Sequence, residues 1–139
     1  MNTIVDTSVW SLALRRRAED LNQREAHLVA ELSELVREGR ACMVGLIRQE
    51  LLSGIKSPEQ YEKLRMTLRA FPDEVLNTSD YEAAAKASNA CRSKGIAIAV
   101  VDALICAVAN SRDWTIFTTD PDFRNYETVL PIKHHTARK

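Results

Sequence analysis

The sequence has no long hydrophobic run and no excess of either charge, and each absence excludes a class of protein. No apolar stretch approaches the roughly 20 residues that a transmembrane helix needs. The N-terminus also lacks the basic and then apolar order of a secretory signal, so we expect a cytoplasmic protein. Nineteen basic residues balance nineteen acidic ones. The net charge therefore gives no indication of nucleic-acid binding, and any such binding must depend on local patches.

Cysteine is also scarce. The chain has three cysteines, Cys42, Cys91 and Cys106. Because they are odd in number, far apart and placed in apolar or helical stretches, we expect buried thiols in a reducing compartment rather than disulfides. His27, His134 and His135 are not spaced from the cysteines as zinc ligands are, so a zinc site is not expected.

The size and apolar content of the chain predict one domain. A length of 139 residues with 45% hydrophobic residues is enough to bury a real core. We find no internal repeat, low-complexity tract or linker. Residues 1–139 are therefore expected to form a single domain.

Short β-rich runs alternate with longer stretches of helical periodicity. The strand candidates are residues 3–5, 41–44 and 115–118, with weaker ones at 74–76 and 129–132. Helices are predicted from Thr7 and over residues 25–38, 46–53, 58–71 and 100–112, together with an alanine-rich helix that Ser79 or Asp80 caps and that ends near Lys94. Strands separated by helices require crossover connections, which predicts a parallel sheet in a three-layer α/β/α domain.

Four acidic residues interrupt runs that otherwise indicate burial. Asp6 and Asp120 follow predicted strands, Glu50 lies in a mostly apolar helix, and Asp102 is the only charge between Ile96 and Ile105. Burying an unpaired carboxylate costs several kcal/mol, so each must be capped, paired, neutralised or bound to a metal. Taken singly, Asp6, Asp102 and Asp120 are equally well explained as helix caps, and Glu50 as a partner of Arg48 or another basic residue.

The joint pattern favours a site. Ends of parallel strands and the starts of the helices that follow share one edge of an open α/β sheet, which is where such proteins bind ligands. Four carboxylates gathered there would repel one another unless a cation neutralised them. A hard divalent ion that prefers oxygen ligands, Mg²⁺ or Mn²⁺, fits best.

The sequence resembles PIN-domain nucleases, and specifically the VapC-type endoribonuclease toxins of prokaryotic toxin–antitoxin pairs. Four motifs carry the resemblance in the family's order: Ile4-Val5-Asp6-Thr7-Ser8-Val9-Trp10, Arg48-Gln49-Glu50-Leu51-Leu52-Ser53-Gly54, Val101-Asp102-Ala103-Leu104-Ile105 and Thr118-Thr119-Asp120-Pro121-Asp122-Phe123. The resemblance covers nearly the whole chain. It implies a five-stranded parallel sheet between helices and a Mg²⁺- or Mn²⁺-dependent site that cleaves RNA.

The resemblance also implies roles for individual residues. The catalytic residues would be Asp6, Glu50, Asp102 and Asp120. Of these, the three aspartates would bind the metal. Ser8, Thr119 and Asp122 would have accessory roles.

Partners follow from the same resemblance. It implies a cognate antitoxin, whose arginine-bearing tail enters the acidic pocket, and a homodimer. The basic residues Arg15, Arg16 and Arg17, and Lys133, Arg138 and Lys139 near the C-terminus, are candidates for phosphate contacts, although solvated surface charge explains them as well. Two other functions remain open at the sequence level: a phosphotransfer domain that collects acids at strand ends, and a binding module of the same fold without catalysis. Against the first, position 8 is Ser8, where a phosphotransfer site needs a second acid.

Overall fold

The centre of the protein is a parallel sheet of three short strands. In the computed structural model, which describes all 139 residues, these are β1 (Thr3–Val5), β2 (Ala41–Cys42) and β3 (Thr115–Phe117). The order is β2-β1-β3, so β1 is the central strand. Ile4 lies opposite Cys42 on one side and Ile116 on the other. All three residues of β1 are buried, as expected for a central strand covered on both faces.

The two outer strands implied by the resemblance are present only as single bridges. Met43 bridges to Asp73 and Ile116 bridges to His134, both in the parallel sense. Neither of the weaker predicted strands, at residues 74–76 and 129–132, forms a ladder, and the prediction of five strands is corrected to three strands with one bridge at each edge. Val75 is 85% exposed, and Pro131 has no N–H group to donate to a neighbouring strand.

Seven α-helices surround the sheet. They are α1 (Thr7–Leu14), α2 (Gln23–Arg37), α3 (Gly45–Leu52), α4 (Pro58–Leu68), α5 (Thr78–Ser93), α6 (Val100–Arg112) and α7 (Asp122–Glu127), with a short 3-10 helix at Ala18–Asp20. The predicted helices α1 to α6 are confirmed, whereas the short helix α7 was not predicted. The predicted cap of α5 is wrong: Asn77 caps the helix, and Asp80 is its partner in a capping box.

The helices form a layer on each side of the sheet. The helix α6 lies against β1 and β3 and packs on α5, while α1 packs on α2 and α3, and α2 contacts β2. Seven consecutive residues of α6, from Ala103 to Ala109, are buried, as its apolar sequence predicts. The three-layer α/β/α arrangement is therefore confirmed.

Two further expectations are tested by the structure. All three cysteines are free thiols, and Cys91 and Cys106 are buried as expected, whereas Cys42 is only partly buried. Burial raises the pKa of the Cys106 thiol far above its ordinary value, so this side chain behaves as an apolar core residue. No helix in the chain combines the length and apolarity that crossing a bilayer requires.

Candidate active site

The four acidic residues singled out in the sequence line one cavity at the carboxyl ends of the strands. The cavity has a volume of about 510 Å³, and its remaining lining residues are Thr7, Ser8, Leu46, Gln49, Ser53 and Val101. No basic side chain lines it. We call it the acidic cavity. Asp6 follows β1, Asp120 follows β3, and the helices α3 and α6 bring Glu50 and Asp102 to the same edge.

Asp6 is held by two hydroxyl groups rather than by the backbone. It occupies the N-cap position of α1, yet its side chain makes no capping hydrogen bond. Ser8 Oγ and Thr118 Oγ1 both donate to Asp6 Oδ2, each at 2.8 Å. The carboxylate is 5% exposed. The helix-cap interpretation of Asp6 is therefore wrong, and neither hydroxyl group engages Oδ1.

Asp102 lies in the first turn of α6 and likewise does not cap its helix. The N-cap residue is Ala99, which has no capping side chain. The hydroxyl group of Tyr126 donates to Asp102 Oδ2 at 2.7 Å. Burial, with added repulsion from Asp6 and the other acids of the cavity, raises the pKa of Asp102 to about 6 against the opposing effect of the Tyr126 hydrogen bond. Since no basic side chain lines the cavity, neighbouring side chains do not compensate its negative charge.

Asp120 makes two local contacts, one on each side of it in the sequence. Its Oδ1 accepts a hydrogen bond from the backbone N–H of Asp122 at 2.9 Å, at the start of α7. Its own N–H donates to Thr118 Oγ1 at 3.0 Å. The first contact is of the capping type, so the helix-cap interpretation is partly right here. The second connects Asp120 to the hydroxyl group that holds Asp6.

Glu50 is oriented by a threonine of another helix. Thr7 Oγ1 donates to Glu50 Oε1 at 2.6 Å, which joins α1 to α3. Arg48 turns away from it: its Nε donates to Asp73 Oδ1 at 2.9 Å and its Nη1 to the Leu68 carbonyl at 3.0 Å. The suggested pairing of Glu50 with Arg48 is therefore wrong.

The three residues expected to have accessory roles differ in the contacts that they make. Ser8 contacts Asp6 as expected. Thr119 contributes its backbone N–H, which donates to Ser8 Oγ at 3.1 Å, and the threonine whose side chain reaches a carboxylate is Thr118. Asp122 contributes its backbone N–H to Asp120 and does not line the acidic cavity.

Two residues that hold the acids were not assigned from the sequence. Thr7 and Tyr126 donate to Glu50 and Asp102, respectively. Tyr126 lies three residues after Phe123, and the two rings pack edge to face with centroids 5.1 Å apart. A tyrosine in such a buried pair requires a partner for its hydroxyl group, and Asp102 is that partner.

The basic residues near the C-terminus are occupied by acidic partners. Arg138 pairs with Glu31 and Glu38, and Lys133 pairs with Asp113. These contacts favour the interpretation of Lys133 and Arg138 as surface charges rather than phosphate ligands. Arg15, Arg16 and Arg17 instead line a second cavity.

The chemistry of the acidic cavity fits a hard divalent cation, although the carboxylates are not arranged as a ready coordination shell. No group of three or more His, Cys, Asp or Glu side chains in the chain is positioned to hold a metal ion. Like charges separate carboxylates in the absence of a neutralising cation. The residues offer only oxygen donors, and no cationic side chain competes for them. Metal binding here requires the carboxylates to move toward one another.

The comparisons with known proteins define the class. The family model of the PIN domain matches residues 3–129, and the chain belongs to the PIN-domain family. A comparison with curated proteins gives no match.

Solved structures extend the likeness over nearly the whole chain. FitAcB from Neisseria gonorrhoeae is 20% identical, with a TM-score of 0.74 and 97% of each chain covered. VapBC2 from Rickettsia felis, bound to a DNA fragment from its promoter, is 15% identical, with a TM-score of 0.72 and coverage of 97% of this chain and 98% of that one. VapBC-1 from nontypeable Haemophilus influenzae is 16% identical with a TM-score of 0.71 and full coverage of both chains. At these identities the likeness shows a shared fold.

Proposed function

We propose that this protein is a Mg²⁺- or Mn²⁺-dependent endoribonuclease that acts as the toxin of a toxin–antitoxin pair. The observation that carries the proposal is the acidic cavity, in which carboxylates from four separate segments meet without a basic side chain. Membership of the PIN-domain family supports a nuclease. The VapBC structures that share the fold support the toxin role.

Three of the four proposed catalytic carboxylates are oriented by hydroxyl groups, and the fourth, Asp120, accepts the backbone N–H of Asp122. Ser8 and Thr118 hold Asp6, Tyr126 holds Asp102, and Thr7 holds Glu50. Such contacts restrict the rotation of these three carboxylates and leave Asp6 Oδ1, Asp102 Oδ1 and Glu50 Oε2 without a hydroxyl partner. A bound divalent ion would activate water and stabilise charge on the scissile phosphate. Asp6, Asp102 and Asp120 would hold that ion.

The substitution Asp102→Asn separates a metal site from a structural role. Because the amide removes one charge from a crowded carboxylate cluster, the variant should melt at the same or a higher temperature without metal. It should lose most of the Mn²⁺-dependent gain in melting temperature, since binding to the native state supplies that gain. RNA cleavage should fall by orders of magnitude. Thermal melts with and without Mn²⁺ and a cleavage assay measure all three effects.

The matched control is Asp122→Asn. It removes a carboxylate two residues after Asp120, and Asp122 does not line the acidic cavity. It should keep the metal response and the cleavage activity. If Asp102→Asn keeps both as well, Asp102 has no catalytic role. A wild-type protein that gives no site-specific heat with Mn²⁺ in calorimetry would instead be a binding module without catalysis.

An antitoxin and a second copy of the chain are the proposed protein partners. An arginine side chain of an antitoxin would find in the acidic cavity the negative charge that no residue of this chain neutralises. Apolar side chains remain exposed on two helices: Val36 on α2, and Tyr61 and Met66 on α4. We expect a homodimer that co-purifies with its antitoxin. A monomer by light scattering that is active without any partner would contradict both expectations.

A further inference from the structure

A second cavity, with the opposite charge, lies beside the acidic cavity. Its volume is about 650 Å³, and five cationic side chains line it: Arg15, Arg16, Arg17, Lys56 and Lys63. No acidic residue lines it. We call it the basic cavity. Although the net charge of the chain is zero, one of these two cavities is lined by acidic residues and the other by basic residues.

Three of the five cations have no carboxylate partner in the structure. Arg15, Lys56 and Lys63 form no ion pair, whereas Arg16 pairs with Glu25 at 3.4 Å and Arg17 with Asp20 at 3.3 Å. Both of these pairs lie at the surface, where such contacts contribute little and exchange readily. All five cations are therefore available to an anionic ligand.

Stabilisation of the helices does not explain this grouping. Arg15 is the C-cap residue of α1, where a cation is favourable. Lys56, however, precedes Ser57, the N-cap of α4, and a cation is unfavourable at a helix N-terminus. Lys63 lies within α4, about two turns after Lys56. The loop after α3 and the helix α4 thus place two lysines in the same cavity as the arginine segment, and one of them, Lys56, is at a position unfavourable for a cation.

The linings of the two cavities adjoin at one point of the chain. Ser53 lines the acidic cavity and Gly54 lines the basic one, so their Cα atoms are about 3.8 Å apart. The helix α1 also runs between them: Thr7 and Ser8 line the acidic cavity, and Leu14 lines the basic one. At 1.5 Å per residue, α1 spans about 10 Å. That distance corresponds to roughly three stacked nucleotides of a single strand.

We propose that the basic cavity binds the phosphate backbone of single-stranded RNA next to the scissile bond. The proposal rests on the nuclease function proposed above. A polyanion is repelled by four carboxylates, and neither the net charge nor the acidic cavity attracts it. The basic cavity provides the attraction and fixes which way the strand leaves the acidic cavity. The cations could also bind an acidic protein segment. An RNA strand whose scissile phosphate lies in the acidic cavity, however, extends beyond that cavity, and its next phosphates reach the basic cavity at the Ser53–Gly54 boundary.

The test compares two triple variants with the same change in charge. Arg15→Gln, Lys56→Gln and Lys63→Gln together remove the unpaired cations of the basic cavity. The control, Lys86→Gln, Lys94→Gln and Lys133→Gln, removes three exposed cations that line neither cavity. Binding of a fluorescein-labelled oligouridylate is measured by anisotropy at several salt concentrations, with EDTA present to prevent cleavage.

The basic-cavity variant should bind RNA about tenfold or more weakly at low salt than wild type. The slope of log affinity against log salt should fall by about 2, because each lost contact to a single strand contributes about 0.7. The control variant should keep the wild-type slope. Arg15→Lys, which keeps the charge, should bind like wild type. With Mn²⁺, the basic-cavity variant should show a raised KM for RNA cleavage.

Three outcomes would overturn the inference. One is an equal loss of RNA affinity in both triple variants, and another is wild-type RNA binding and cleavage in the basic-cavity variant. The third is a basic-cavity variant that binds RNA normally but no longer binds a polyglutamate peptide, which would assign the cavity to an acidic protein. A wild-type protein that does not cut RNA with Mn²⁺ would contradict the nuclease proposal instead, so the two failures are distinguishable.

Discussion

One hydroxyl group, that of Thr118, connects two of the proposed catalytic carboxylates. It donates to Asp6 and accepts from the backbone N–H of Asp120. Replacing Thr118 by valine keeps the shape of the side chain but leaves both groups without this partner. We expect a loss of about 1–2 kcal/mol in the free energy of unfolding and a roughly 10- to 100-fold loss of RNA cleavage. Urea unfolding and a cleavage assay measure the two effects.

The adjacent threonine is the matched control for this prediction. Thr119 contributes only its backbone N–H to Ser8, which valine retains. Thr119→Val should therefore unfold and cleave RNA like wild type. If Thr119→Val loses activity and Thr118→Val does not, the structure assigns the contact to the wrong residue.

At the residue scale, the acidic residues of the site can be predicted from the sequence, whereas the residues that donate hydrogen bonds to them cannot. Asp6 and Asp102 are detectable because a charge in an apolar run is costly and demands an explanation. A hydroxyl donor carries no such signal. Thr118 is one of two equivalent threonines in the sequence, and the geometry at the end of β3 decides which of them reaches Asp6. Tyr126 reaches Asp102 only because a helix that was not predicted places it there.

At the scale of the elements, an ion pair joins the two helices that form one layer of the fold. Arg112, at the end of α6, donates to both carboxylate oxygens of Asp80 in the first turn of α5, at 3.0 and 3.1 Å. The Arg112 guanidinium, helped by the N–H of Asn77, holds the pKa of Asp80 below its ordinary value. A carboxyl group with a lowered pKa stabilises the fold at neutral pH. That contribution is lost as the pH falls through the folded-state pKa.

The substitution Asp80→Asn should therefore matter at neutral pH and not in acid. We expect a loss of about 1–2 kcal/mol in the free energy of unfolding at neutral pH. The difference from wild type in the free energy of unfolding should narrow as the pH falls below about 4, the ordinary pKa of an aspartate, and should vanish below the lowered pKa that Asp80 has in the folded protein. Urea unfolding of both proteins at a series of pH values measures this difference in the free energy of unfolding. Asp113→Asn, which breaks the exposed pair with Lys133, should show no comparable effect, and a pH-independent loss in Asp80→Asn would contradict the ionic role of this contact.

The elements themselves are predictable where periodicity is strong and long. The helices α2 and α6 and the central strand follow directly from their apolar patterns. The edges of the sheet cannot be predicted in this way, because an edge strand such as residues 74–76 forms only if the neighbouring strand pairs with it. Here the neighbouring strand, β2, ends after two residues. The helix α7 has six residues, which is too short for a periodic signal.

For the molecule as a whole, one buried acid attaches the end of the chain to the core. Glu31, on α2, is 3% exposed and accepts hydrogen bonds from His135 and from the Arg138 guanidinium. Burial raises the pKa of Glu31, but these hydrogen bonds more than offset that effect, and the net shift is downward. The residues around His134 also form the outer bridge of the sheet. The C-terminal segment is therefore part of the folded domain.

Glu31→Gln should destabilise the protein, because it removes the charge on which this attachment depends. We expect a loss of about 1–3 kcal/mol in the free energy of unfolding and faster amide hydrogen exchange after residue 133. Urea unfolding and hydrogen exchange measure these effects. Glu38→Gln serves as the control, because Glu38 pairs with the same arginine at the exposed surface. Equal effects of the two substitutions would show that burial of Glu31 is unimportant.

The position of β1 in the sheet has a consequence for when activity arises during synthesis. This strand is made first, but its partner β3 begins at Thr115, and the hydroxyl groups that hold Asp6 and Asp102 include those of Thr118 and Tyr126. A nascent or prematurely terminated chain that ends before these residues carries an open sheet edge and an incomplete set of acids. Under the proposed function, the ribosome that makes this protein therefore meets the complete site only when translation of the message is nearly finished.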